Sequence, residues 1–301
     1  MTDEEMDLLC GAVIDPEATK AFMQQLPIQA YSSLTRESGV GKKRFLWQYQ
    51  RDVLGYDFEE IQTIGDCVGK GIQRVAILLW CVRIALGMRE KFPGIPASEV
   101  PYALGRHEIG RDKLGKGDGC VVEWSIEASK KYGLLFRKDY GSVDLTDYSG
   151  QRARDWGAPK HGLPDELEPL TRAFPILEAA PINSWRDGCD AMYNGEPLVG
   201  GSNSIFTKRD GQGYLILTKT GGHCTVFDGY DDTLGKKSYW SYNNASWPKI
   251  PGVRIENCPA CCGPITRGMV EKMLNQGQWY AVSDIQGMPA QSDDLNSYEM
   301  L

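Results

Sequence analysis

Gln62-Thr63-Ile64-Gly65-Asp66-Cys67-Val68 runs straight into Gly69-Lys70-Gly71-Ile72-Gln73-Arg74-Val75, and this junction decides the fold. From Cys67 to about Glu90 the apolar residues Ile72, Val75, Ile77, Leu78, Leu79, Trp80, Val82, Ile84, Leu86 and Met88 leave almost no polar face. A helix apolar on most of its circumference is packed by protein on several sides, so this one is central. Lys91-Phe92-Pro93-Gly94 ends it. Cys67 opens that helix, where free backbone N–H groups and the helix dipole stabilise a thiolate. Gly65, Gly69 and Gly71 keep the helix end slim enough for close approach.

Around this helix the pattern is helical first and extended afterwards. A second helix is expected over Ser98 to about Gly110 and a third over Val121 to Tyr132, stopped by Gly133. Residues 141–180 read as loop-rich, with a short amphipathic segment near Glu166 to Leu177, and 185–194 as a short helix. After Pro197 the character changes. Leu198–Gly201, Tyr214–Leu217, His223–Tyr230, Ser238–Tyr242 and Gln278–Val282 are short, β-branched or aromatic, and parted by Gly, Asp and Lys turns. That order predicts an α+β architecture with two lobes.

Composition excludes several classes. The net charge of −7, with no Lys/Arg block, argues against a nucleic-acid surface. The longest apolar run is too short to span a membrane and contains Arg83. The acidic start Met1-Thr2-Asp3-Glu4-Glu5 is unlike a secretory signal. Nine cysteines without regular spacing read mostly as reduced, buried small side chains.

Three histidines leave few candidates for a base. His107 falls in a predicted helix and His161 in a Pro/Gly loop, whereas His223 precedes the clean strand Cys224–Tyr230. If that strand and Tyr239–Asn244 form a hairpin folded about Thr233 and Leu234, position 223 lies opposite position 244. An Asn accepting the ring N–H would fix the imidazole tautomer and aim its other nitrogen at a thiol. Gln62, five residues before the cysteine, could join the Cys67 N–H in holding an oxyanion.

On these residues the chain resembles the papain-like cysteine peptidases. Gln62-Thr63-Ile64-Gly65-Asp66-Cys67-Val68 resembles their Gln…Gly-Ser-Cys-Trp segment. Gly222-His223-Cys224-Thr225-Val226-Phe227-Asp228-Gly229-Tyr230 resembles their Gly-His-Ala-Val…Val-Gly-Tyr, and Tyr239-Trp240-Ser241-Tyr242-Asn243-Asn244-Ala245-Ser246-Trp247 their Tyr-Trp…Lys-Asn-Ser-Trp. Ala128–Gly133 matches the helix end and turn of the helical lobe. The departures are Asp66 for the usual Ser, Val68 for the usual aromatic, Gln62 one residue closer to the cysteine, and Ala245 after Asn244, so that Asn243 is an alternative partner. The Gly-Asp-Cys-Val form is similar to that of divergent members encoded by bacteriophages and some bacteria.

The resemblance implies a helical lobe at about 56–180 and an antiparallel β lobe at about 181–287, with a cleft between them. Residues 1–55 would be an N-terminal lead-in and 288–301 a polar tail. It implies a thiol hydrolase of peptide or amide bonds in which Cys67 attacks, His223 moves the proton, Asn244 orients the ring and Gln62 assists the oxyanion. Such an enzyme needs no cofactor or metal, and its partner is a peptide or protein substrate. The alternative is a catalytically silent papain-fold protein used for binding or assembly, such as a virion component among other virion proteins. Without an export signal, the chain would be cytoplasmic or packaged in a phage particle.

Two features stand outside this scheme. Cys258-Pro259-Ala260-Cys261-Cys262 holds half of a zinc or redox motif, with no second pair and no nearby His, and reads as incidental. The lead-in is short for an inhibitory domain and carries the apolar anchors Phe22, Met23, Leu26, Phe45, Leu46 and Trp47. It is expected to stay attached and to pack on the body of the protein.

Overall fold

The computed structural model describes residues 2–25, 31, 37–87, 91–172, 174, 176–247, 249–255, 257–276 and 279–285. Leu26, Met88, Gln278 and the expected tail from 288 lie outside them. The helical part contains α1 (Asp3–Leu9), α2 (Pro16–Met23), α3 (Leu46–Leu54), α4 (Cys67–Ala85), α5 (Glu99–Leu104), α6 (Val122–Lys131), α7 (Gly150–Gly157) and α8 (Glu168–Thr171). A short parallel pair joins β1 (Ala12–Val13) to β3 (Cys120–Val121).

The β part is one sheet of seven strands. Along it run β4 (Ile176–Pro181), β9 (Trp279–Ile285), β5 (Leu198–Arg209), β6 (Leu215–Asp231), β7 (Tyr239–Asn243) and β8 (Cys262–Thr266), with β2 (Lys43–Phe45) added to β6. Helices α9 (Trp185–Tyr193) and α10 (Arg267–Asn275) pack on it. The architecture is α+β, as the order of sequence patterns implies.

Helix α4 is central because every residue from Cys67 to Arg83 is buried. Its apolar side chains join Leu46, Tyr102, Val121, Val199, Val226 and Tyr280 in one core drawn from both parts of the molecule. Its first turn is also tied down by charge. Lys70 meets Glu60 at 2.5 Å, Glu60 meets Arg137 at 2.8 Å, and Arg137 and Arg152 both grip Glu99, at 2.7 and 2.9 Å. A buried chain of alternating charges, each one paired, fixes orientation, and removing one member strands the next. A side chain at Gly71 would strike Cys224 Sγ at 2.7 Å, so the glycine lets β6 lie directly on α4.

Several segments differ from their sequence patterns. Helix α4 ends at Ala85, because Gly87 turns left-handed (φ 71°) before the expected Pro93 stop. The second helical region continues past Leu104 as a π-helical turn over Gly105–Ile109. The amphipathic segment expected to reach Leu177 is helical only over Glu168–Thr171. Residues 176–181 instead become β4, paired with β9. The two strands expected at 214–217 and 223–230 are one long strand, β6, which bends at register shifts against β5 rather than breaking. Within the lead-in, β2 extends the sheet and α3 packs on α4, with Leu46 and Trp47 buried.

Candidate active site

Cys67 is the first residue of α4 and is wholly buried. Its sulfur accepts the backbone N–H of Cys224 at 3.3 Å. Burial pushes the thiol up to about 12, although the backbone N–H groups of Cys224 and Gly11 pull the other way. Asp66, just before it, is also buried. Loss of water lifts its carboxyl to about 7 against the pull of Lys70 one turn on.

His223 sits on β6, opposite Ser202 of β5. Its Nε2 lies 3.0 Å from Asn244 Oδ1. An amide oxygen only accepts, so Nε2 carries the hydrogen and Nδ1 keeps its lone pair. Nδ1 is buried without a hydrogen-bond partner. The ring packs on Trp247, centroid to centroid 4.3 Å, and burial holds its pKa down at about 4. The imidazole is therefore neutral, with one nitrogen committed and one open. His107 instead meets Asp112 at 2.9 Å, in the π-helical turn.

The hairpin register differs from the expected fold about Thr233 and Leu234. Val226 pairs with Asn243 and Phe227 with Tyr242. A register shift between Phe227 and Tyr230 moves the pairs nearer the turn to Tyr230–Trp240 and Asp231–Tyr239. Residue 244 therefore lies beyond the end of β7, and only its side chain reaches back to the ring. Asn243 is committed elsewhere: its Nδ2 donates to Asp228 and its Oδ1 accepts the Ala245 N–H at 3.0 Å. Asn244, not Asn243, meets the histidine.

Gln62 is buried beside this group, with both amide hydrogens in use. Nε2 donates to Leu9 O at 2.8 Å and to Ile64 O at 2.9 Å. The Leu9 carbonyl belongs to the N-terminal segment. Residues 9–13 thread between the two walls of the site. Gly11 O accepts the Cys120 N–H at 2.7 Å, and Ala12 and Val13 pair in parallel with Cys120 and Val121. The fit is tight: a Cβ on Gly11 would sit 1.7 Å from Gly65 O, and one on Gly222 would sit 2.0 Å from Ala12 O. Met6 and Leu9 of α1 anchor the segment on Ile205 and Trp247.

Thus Cys67, His223, Asn244 and Gln62 come from the start of α4, one strand, the turn after β7 and the loop before α4, and residues 9–13 run among them. The small residues Cys10-Gly11-Ala12 are the one feature of the segment suited to a narrow passage. Among the described residues no group of three or more His, Cys, Asp or Glu side chains could share a metal ion, and no helix is long and apolar enough to cross a membrane.

No protein-family description and no curated protein matches the chain. Solved structures do. Xylellain, a cysteine protease from Xylella fastidiosa, is 14% identical with a TM-score of 0.56, over 92% of this chain and 96% of that one. Procathepsin B S9 from Trypanosoma congolense is 12% identical with a TM-score of 0.58, over 94% and 90%. Digestive procathepsin L2 from the larval midgut of Tenebrio molitor is 13% identical with a TM-score of 0.59, over 94% and 81%. The chain has the fold of the papain-like cysteine proteases.

Proposed function

We propose that this chain is a papain-type thiol peptidase whose own N-terminal segment lies in its cleft. In this reading Cys67 attacks the scissile carbonyl while His223 Nδ1 takes the thiol proton. The resulting imidazolium then gives that proton to the leaving amine. Asn244 holds the ring so that Nδ1 faces the reacting atoms, and the Cys67 N–H and Gln62 Nε2 carry the oxyanion. Water, activated by the same histidine, then hydrolyses the thioester.

The observation that carries the reading is the His223 Nε2 to Asn244 Oδ1 bond at 3.0 Å, with the other ring nitrogen unpaired beside the strand that contacts Cys67. The Leu9 carbonyl on Gln62 supports it further, since a peptide oxygen already sits on the amide that would hold the substrate's oxygen. Two of the similar structures are proenzymes by name.

A second reading, a silent papain-fold binding protein, is favoured by one specific fact. The thiol is dry, pushed up to about 12, and covered by the chain itself. The two readings part when the segment is removed. Chain lacking residues 1–13 should hydrolyse a fluorogenic peptide, and Cys67→Ala in that background should abolish the signal. A folded truncated chain with no turnover on a broad peptide library would leave the binding reading in its place.

A further inference from the structure

Behind Asn244 lies a group that the proposed chemistry does not use. Cys258, Cys261 and Cys262 pack together with Ala245, and Cys261 Sγ is 3.7 Å from Cys262 Sγ. Neighbouring residues of a strand point to opposite faces. Here β8 begins only at Cys262, and the Cys262 N–H closes a turn onto Pro259 O at 3.0 Å, which brings both thiols to one side. Cys262 Sγ lies 3.5 Å from Asp228 Oδ2, a buried acceptor for its proton. Cys258, the partly buried member that packs on the other two, lines a cavity of about 220 Å³ walled by Phe45, Trp47 and Tyr239, so a small solute comes as far as Cys258.

The same backbone holds the candidate site. Cys261 O accepts the Asn244 N–H at 3.2 Å, and Cys262 pairs in register with Asn243. From this geometry we infer that Cys261 and Cys262 are an oxidation site that closes to a vicinal disulfide, and that closure loosens the backbone carrying Asn244.

The oxidant is hydrogen peroxide. The Cys261 thiolate attacks one peroxide oxygen, forming an S–O bond as the O–O bond breaks and hydroxide leaves. Cys262 passes its proton to Asp228, and its thiolate attacks the Cys261 sulfur. The S–S bond forms, the S–O bond breaks, and the second hydroxide departs. With the two thiol protons the hydroxides become two waters, and the thiols have lost two electrons. Closing the gap to about 2.0 Å between residues whose Cα atoms are only about 3.8 Å apart, shorter than most disulfides span, twists the joining peptide. Cys261 O then swings away from the Asn244 N–H. A strained disulfide is readily reduced, so the change is reversible by a dithiol. The bond itself is independent of the peptidase reading; only an effect on turnover would rest on it.

The test uses the full chain treated with a small excess of hydrogen peroxide, alkylated under denaturing conditions and digested with trypsin. Ile255–Arg267 carries all three cysteines on one peptide. The expected product is that peptide about 2 Da lighter than its reduced form before alkylation, with a single alkyl group, on Cys258, and mass restored by a dithiol. Cys258→Ser should keep the bond, whereas Cys261→Ser and Cys262→Ser should each lose it. Hydrogen exchange at the Asn244 amide should rise about tenfold on oxidation, as expected for one hydrogen bond of ordinary net strength. A Cys258–Cys261 bond, sulfinic acids in place of a disulfide, or three alkylated cysteines after peroxide would overturn the assignment. An unchanged Asn244 exchange rate in the oxidised chain would overturn the coupling.

Discussion

Leu9–Val13 and Lys43–Leu54 belong to the same stretch before Cys67, yet the structure uses them in opposite ways. The later segment is part of the body: β2 pairs with β6, α3 packs on α4, and Leu46 is fully buried in the main core. The earlier segment lies in a slot. It is held by the Leu9 carbonyl on Gln62, the Gly11 carbonyl on Cys120 and a small apolar anchor, and it fits because Gly11 and Gly222 lack side chains. One is cohesive and the other is a latch. Apolar anchors in the sequence therefore do not by themselves separate a structural arm from a segment that occludes a site.

The comparison breaks first if the latch covers nothing chemical. In chain freed of residues 1–13, Cys67→Ala or His223→Ala should lower peptide turnover by about 10³-fold or more, because nucleophile and base act as a unit. His107→Ala should leave kcat/KM unchanged. Measured rates for these three variants in parallel decide the point.

The cohesive half is tested by stability. Leu46→Ala should lower unfolding free energy by about 2–5 kcal/mol in denaturant titration, the usual cost of emptying such a core position. It should bring no gain in turnover. A gain would mean that residues 43–54 also restrain the site.

The third consequence concerns pH. His223, held at about 4 in the closed site against an ordinary value near 6.5, binds fewer protons closed than open. The part that His223 contributes to the closed form is therefore complete above about 6.5 and is lost as pH falls from there towards 4. Labelling of Cys67 in the intact chain, corrected for intrinsic thiol reactivity, should rise across that window. A flat corrected profile would show that the histidine stays neutral whether the slot is open or closed.

The smallest effect is expected at Asn244. Asn244→Ala should cost freed chain about tenfold to a hundredfold in kcat, less than loss of Cys67 or His223, since the imidazole keeps its place on Trp247. Asn243→Ala should act through stability instead, because it removes one of the hydrogen-bond donors to the buried Asp228 carboxyl.

What the sequence disclosed follows the range of the interactions involved. The central helix was legible because its apolar run and the cysteine at its head are local signals, as was the stop at Gly133, which adopts φ 97°. His223 and Asn244 could be picked out by chain order and by the scarcity of histidine. Their register could not, because the shift between Phe227 and Tyr230 has no sequence mark beyond Gly229. β4 was hidden because Ile176–Pro181 takes its extended form from pairing with β9, about a hundred residues away. β8 is too short, at Cys262–Thr266, to show a period, whereas α10 carries one in Val270, Met273 and Leu274 that went unread. The slot for residues 9–13 depends on two glycines, at 11 and 222, whose close contacts form only after folding.

The most direct measurement of the central claim is the reactivity of Cys67 in a Gly11→Ala chain, followed by iodoacetamide labelling and peptide mapping alongside hydrolysis of a fluorogenic peptide. A methyl group 1.7 Å from Gly65 O has no room, so the segment must leave the slot while α3, β2 and the core stay as they are. Cys67 should then label many times faster than in the unaltered chain, with peptide turnover appearing and little change in melting temperature. A Cys67 that stays unlabelled and inert in a folded Gly11→Ala chain would contradict that claim.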